Sequence, residues 1–175
     1  LPDGAGGDEL PEWLRIVPVG SFPNHKDGPH EVTDSDIEDM VANFERRDTD
    51  LLVDFDHASV FDGDTRAAAW INEVEQRDDG LYGRIGEVTP AGQEAIANKD
   101  YRYISPVYFL EGEDKQGNDK GAWVHSVAIT NLPYFDQGEV DPIGNSSPAP
   151  DDPDESDSDS DPSDINTTDP SSFMD

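Results

Sequence analysis

The sequence predicts an α+β fold: a small antiparallel β-barrel or strongly bent sheet with two covering helices, followed by an acidic tail that forms no regular structure. Three observations predict it. Apolar and aromatic runs of strand length recur through residues 11–136 with turn residues between them. Two shorter segments carry a helical pattern instead. Beyond residue 140 the chain is mostly Asp, Ser and Pro, with almost nothing apolar to offset the entropy of ordering. The expected division is a flexible segment over 1–10, one folded domain over 11–140 and a disordered tail or linker over 141–175.

Each element has its own local reason. Trp13-Leu14-Arg15-Ile16-Val17-Pro18-Val19 is rich in strand formers, and Pro18 marks an edge or a strand end. Residues 21–32 read as a loop. Thr33 or Asp34 caps a helix whose Ile37, Met40, Val41 and Phe44 follow the i, i+3, i+4, i+7 rule, ending near Arg47. Leu51 to His57 is a strand that begins apolar and ends polar, with the loop Phe61-Asp62-Gly63-Asp64 after it. Ala67 to Gln76 and Leu81 to Val88 flank Arg77-Asp78-Asp79-Gly80, where Asp-Gly supplies the positive φ of a tight hairpin. Thr89-Pro90 starts a short helix over about 90–98. Tyr101 to Leu110 and Ala122 to Thr130 form a second, longer hairpin around the polar stretch Glu111 to Gly121.

Charge and composition narrow the function classes. The formal net charge is −30; residues 141–175 carry eleven acids and no base, so 19 of those charges belong to residues 1–140. A domain this acidic repels itself at low salt, and the expected setting is the cytoplasm of a salt-accumulating host, where the Debye length shrinks to about 3 Å at molar ionic strength. Clusters of Lys and Arg for phosphate contacts are missing, which argues against nucleic acid as a partner. Cysteine is absent, so disulfides, thiol catalysis and cysteine-ligated zinc are excluded. No apolar run reaches the roughly 20 residues of a membrane span, and the first ten residues lack the pattern of a signal peptide, so a soluble intracellular protein without a membrane partner is expected. Leu1 suggests a fragment or a processed product.

Hydrolysis without cysteine needs an activated serine or threonine, or an activated water. Ser21, Ser35 and Ser59 fall in loops or helix starts, where capping accounts for them. Ser105 lies inside an aromatic strand, and Pro106 removes a ladder donor beside it, which would present the hydroxyl at a bulge or edge. A half-buried strand serine beside an edge proline is the plainer account. His57, after Asp54-Phe55-Asp56 at a strand end, suits a general base held in one tautomer by a nearby acceptor; a surface histidine among acids is the plainer account there. His125 alternates with Trp123, Val127 and Ile129, as a buried core histidine would, and is also the candidate third member of a triad. Asp54, Asp56, His57, Asp62 and Asp64 form an acidic cluster open to a divalent cation, but their spacing matches no calcium loop. No cofactor and no metal are expected.

Four stretches resemble the phage Mu-like prophage I proteins, capsid-assembly proteases with an attached scaffold region. They are Trp13-Leu14-Arg15-Ile16-Val17-Pro18-Val19-Gly20-Ser21-Phe22; Val53-Asp54-Phe55-Asp56-His57-Ala58 with Ala67-Ala68-Ala69-Trp70-Ile71; Tyr101-Arg102-Tyr103-Ile104-Ser105-Pro106-Val107-Tyr108; and Val127-Ala128-Ile129-Thr130-Asn131-Leu132-Pro133. The family is similar to prohead proteases of tailed phages and, more distantly, to herpesvirus assemblin, which implies a small β-barrel carrying a serine–histidine pair. The resemblance implies Ser105 as nucleophile and His57 as base. Assemblin's third residue is a second histidine and that of the prohead proteases an acid on a later strand, so His125 is the first candidate and Asp54 or Asp56 the second. Arg102 is a candidate oxyanion stabiliser. The implied function is a serine endopeptidase that cleaves scaffold, capsid protein tails and itself inside the assembling procapsid in the host cytoplasm. Its implied partners are capsid and scaffold proteins, with self-association in the procapsid. The rivals are a catalytically inactive scaffold or assembly module and a divalent-cation-binding module. The family's scaffold region is long and helical, whereas residues 141–175 are short and patternless, so the expectation is a protease portion with its linker.

Overall fold

Strands dominate the structure because β-branched and aromatic residues recur in short runs, some paired by hairpin turns and others only through distant register. The computed structural model describes residues 9–136 and 142–143. Most of the tail expected over 141–175 and most of the flexible segment expected over 1–10 lie outside the described residues.

The chain order is β1 (Trp13–Pro18), β2 (Gly20–Phe22), β3 (His30–Val32), α1 (Asp34–Glu45), β4 (Leu51–Phe55), α2 (Ala58–Phe61), β5 (Ala69–Arg77), β6 (Gly80–Val88), α3 (Pro90–Ala97), β7 (Tyr103–Phe109) and β8 (Trp123–Thr130). Six strands form one sheet in the order β1-β6-β5-β4-β8-β7. Its two outer strands, β1 and β7, come back into contact, so the sheet bends into a nearly closed barrel. The predicted α+β barrel with few helices is therefore present. It is mixed rather than purely antiparallel, because β4 runs parallel to β8. Between these two strands the chain runs through α2, the β5–β6 hairpin, α3 and β7, a connection long enough to return in the same direction.

The hairpin of β5 and β6 closes with Arg77 opposite Gly80, as the Asp79-Gly80 step predicts. Gly80 has φ +148°, and a Cβ there would lie 2.1 Å from the Val17 carbonyl oxygen, so glycine is required both by conformation and by the close approach of β1. Helix α1 starts at Thr33 with a reciprocal capping box: the Thr33 hydroxyl accepts from the Asp36 N–H at 3.1 Å, and the Asp36 carboxylate accepts from the Thr33 N–H at 2.8 Å. Ile37 and Met40 on its inner face are fully buried. Helix α3 starts at Thr89 with Pro90 in its first turn, as predicted.

Two short elements depart from expectation. Residues 21–32, predicted as loop, include the β2–β3 pairing of Ser21 with Glu31 and Phe22 with His30. The loop predicted after His57 begins with α2. The core is continuous through the barrel and includes Ile16, Val17, Leu51, Val53, Ile71, Leu81, Val127, Ile129 and Phe135. Among the described residues, no helix is long and apolar enough to cross a membrane.

Candidate functional site

Strand register places the two ends of the predicted site. Asp54 of β4 is the partner of Ala128 on β8, and Ala128 is in turn the partner of Ser105 on β7. Register partners point to the same sheet face, and neighbouring strands lie about 4.8 Å apart. Carboxylate, methyl and hydroxyl therefore form one row across three strands, with the Asp54 and Ser105 backbones about 10 Å apart. All three residues are fully buried.

His57 leaves the end of β4 through two consecutive left-handed residues, Asp56 at φ +54° and His57 at φ +59°. Such conformations cost about 1–3 kcal/mol each in non-glycine residues and persist only where the surroundings hold them. Here the Asp56 N–H donates to the Ile129 carbonyl at 3.0 Å. Its carboxylate accepts from the Thr130 hydroxyl at 2.9 Å and from the Tyr101 hydroxyl at 3.1 Å. The His57 carbonyl accepts from the N–H groups of Val60 and Phe61, which starts α2.

His57 occupies the N-cap position of α2, yet its side chain makes no capping bond. Asp54 takes over that role from the strand below: one carboxylate oxygen, Oδ2, accepts from both the Ser59 N–H and the Ser59 hydroxyl. Its other oxygen, Oδ1, is buried without a hydrogen-bond partner, and so is Nδ1 of His57. Burial lowers the His57 pKa below its ordinary value, opposed by the negative charges of Asp54 and Asp56. The imidazole is thus kept neutral at neutral pH, the form a general base needs. Both Asp56 oxygens already hold the turn, whereas Asp54 keeps one free. Of the two acids named from sequence, Asp54 is the one with an unbonded carboxylate oxygen.

Ser105 sits under a strap. Its hydroxyl accepts from the Tyr134 N–H at 2.9 Å, and the strap is latched by the loop between β2 and β3. Lys26 Nζ donates to the Pro133 carbonyl at 3.1 Å and lies 3.9 Å from the Asp136 carboxylate. Nδ1 of His25 accepts from the Asp27 N–H at 3.1 Å, so Nε2 carries the proton and donates to the Tyr134 carbonyl at 2.7 Å. Phe135 anchors the strap from within, fully buried, stacked on Tyr108 and packed on Phe22. In this state no hydrogen bond joins Ser105 to His57; strap and hydroxyl are bonded to each other instead.

The structure does not bring His125 to His57. Parallel register sets Val53 beside Val127, so His125 stands level with Leu51 at the opposite end of β4, a strand about 13 Å long. The predicted alternation also fails there. Val107 pairs with Ser126 and Tyr108 with Val124, which leaves His125 as the extra residue of a bulge, exposed and bonded through Nδ1 to the Ser126 hydroxyl at 2.9 Å. A cleft of about 890 Å³ lies at this end, lined in part by Phe44, Arg47, Lys120, Trp123 and His125, away from the Asp54–Ser105 row. Arg102 is exposed just before β7 and uses its backbone N–H to bond Asn131 Oδ1 at 3.0 Å; among the described residues nothing engages its guanidinium.

The acidic cluster does not converge. Asp54 turns to Ser59, Asp56 to Thr130 and Tyr101, and Asp64 to Arg66 at 2.8 Å. No group of three or more His, Asp or Glu among the described residues is placed to hold a metal ion. Sequence reasoning missed the strap and the capping role of Asp54. Pro133 followed by two aromatic residues just before the patternless tail was the available signal for the strap.

The fold and its row of polar groups define a small mixed β-barrel domain with a buried acid and a histidine at the carboxyl end of one strand and a covered serine two strands away. The family model for the Mu-like prophage I protein, N-terminal domain, matches residues 14–139, and the chain belongs to this family. That membership gives it a phage-related role. Comparison with curated proteins and with solved structures gives no match.

Proposed function

We propose that this chain is the protease portion of a tailed-virus capsid-assembly protein, a serine endopeptidase with Ser105 as nucleophile, His57 as base and Asp54 as the group that orients the imidazole. The observation that carries the reading is the pair of buried, unpartnered atoms, Asp54 Oδ1 and His57 Nδ1, beside a ring held neutral and on the sheet row that ends in Ser105. A hydrogen bond from Nδ1–H to Oδ1 would satisfy both and leave Nε2 as the basic nitrogen.

In the reaction, Nε2 takes the Ser105 proton as Oγ attacks the peptide carbonyl carbon. The resulting imidazolium returns that proton to the leaving amine as the C–N bond breaks, giving an acyl-enzyme. Water then gives a proton to the same nitrogen as it attacks the ester carbonyl carbon, and the imidazolium returns that proton to Ser105 Oγ as the ester C–O bond breaks, releasing the acid and restoring the free serine. The strap must first lift, because the Tyr134 N–H occupies the serine hydroxyl. The substrates are scaffold, capsid protein tails and the enzyme itself within the procapsid, where confinement raises effective concentration.

Ser105→Ala should abolish self-cleavage and scaffold cleavage on co-expression with the capsid and scaffold proteins at high salt. Unchanged fragments in that variant would remove the proposal. One observation favours a second reading, an inactive assembly module: Ser105 is fully buried and bonded to backbone, as a structural serine is. Labelling of Ser105 by a serine-directed phosphonate separates the two.

A further inference from the structure

Four large hydrophobic side chains stand exposed among the described residues: Val60 at 41%, Phe61 at 78%, Phe109 at 47% and Leu132 at 85%. Single exposed apolar residues are ordinary. What needs explaining is that three of the four emerge at the carboxyl ends of the adjacent parallel strands β4 and β8, where His57 lies.

Local bonds hold them there. Phe61 closes α2, whose first turn begins at His57, and the two rings are 6.5 Å apart. The Thr130 hydroxyl donates to the Asp56 carboxylate and accepts from the Leu132 N–H at 3.1 Å, so a single hydroxyl ties Leu132 to the turn that carries His57. Leu132 also directly precedes Pro133 and Tyr134, the residues above Ser105. One apolar group therefore stands on the imidazole side and another on the segment over the serine.

We infer that Phe61 and Leu132, with Val60 beside them, form the docking surface of the Ser105–His57 site for a peptide carrying a bulky apolar side chain next to the bond to be cut. This rests on the serine endopeptidase reading. Charge points the same way: a chain of net charge −30 repels acidic peptides at low salt, and at high salt ionic recognition is screened while apolar association strengthens. Apolar contact is the means of selection that works in both conditions.

The test uses two peptidyl phosphonates that differ in one side chain, Leu or Ser, and follows their rates of attachment to Ser105 in the full chain. The Leu probe should react about tenfold faster or more, and Phe61→Ser and Leu132→Ser should each reduce that preference to about twofold. Both side chains are largely solvent-exposed, so neither substitution touches the core. An undiminished preference in both variants overturns the inference and leaves the serine reading intact. So does a change in oligomeric state with the preference kept, which would assign the patch to contact between copies. If neither probe reaches Ser105, even after the strap is loosened by His25→Ala with Lys26→Ala, the serine reading falls and this inference with it.

Discussion

Replacing Asp54 in two ways separates its structural role from the chemical one proposed for it. Asp54 is fully buried, and one of its oxygens accepts two hydrogen bonds from Ser59 that start α2. Asp54→Ala leaves the Ser59 N–H and hydroxyl without that acceptor, at about 1–3 kcal/mol for each donor left unsatisfied. Removing a buried charge offsets part of this, so a net loss of about 2 kcal/mol is expected. With a urea slope of about 2 kcal/mol/M, the unfolding midpoint should fall by about 1 M. Asp54→Asn keeps an acceptor for Ser59 and should hold the midpoint within about 0.5 M of the wild type.

The same Asn variant removes the charge that opposes the burial-driven lowering of the His57 pKa. That pKa should therefore drop further, which an NMR titration of the imidazole reads directly. It also removes the proposed acceptor for Nδ1–H, so phosphonate labelling of Ser105 should slow by about 10²-fold or more. A well-folded Asp54→Asn protein that labels at the wild-type rate, with an unmoved His57 titration, would refute the orienting role and leave Asp54 as a helix cap alone.

Three further outcomes follow from the geometry. Because the folded-state pKa of His57 lies below its ordinary 6.5, the unfolded chain takes up the proton first on acidification. Its contribution to stability is complete above about pH 6.5 and is lost as pH falls below that value, so thermal melts should show a pH slope that His57→Gln flattens. Phe135→Ala empties a fully buried aromatic site beside Phe22 and Tyr108 and should cost about 3–5 kcal/mol in urea unfolding while speeding Ser105 labelling, since the strap loses its anchor. His25→Ala with Lys26→Ala removes the two side-chain bonds that hold the Pro133 and Tyr134 carbonyls and should also speed labelling; an unchanged rate would show that these bonds do not keep the serine covered.

What the sequence made legible was local. The capping threonines at 33 and 89, the helical spacing of Ile37, Met40 and Phe44, and the Asp79-Gly80 turn each act within a few residues, and the elements they specify stand close to where they were expected. Helix α2 was missed because its cap comes from Asp54, a strand residue five positions upstream of Ser59, rather than from the N-cap residue. The β2–β3 pairing was missed because each strand has only three residues and prolines stand beside both. The parallel pairing of β4 with β8 joins residues more than seventy positions apart, and no nearby residue announces it. The site divides along the same line. The position of His57 at a strand end was readable, but which neighbouring acid keeps an unbonded oxygen was not, since it depends on Thr130 and Tyr101 occupying Asp56. His125 lies far from His57 because the β4–β8 register, set by distant residues, puts it level with Leu51, and a bulge leaves it exposed.

β8 lies between the strand bearing Asp54 and the strand bearing Ser105, and among the described residues it is the last strand in chain order. During synthesis the nascent polypeptide holds the acid and the imidazole early and the hydroxyl later, yet they stay unaligned until this final strand slots in. The segment that shuts over the hydroxyl is made immediately afterwards. A ribosome-bound chain thus passes from having no aligned row to having a covered one with almost no interval between, which on the proposed peptidase reading limits cutting before the partners have gathered.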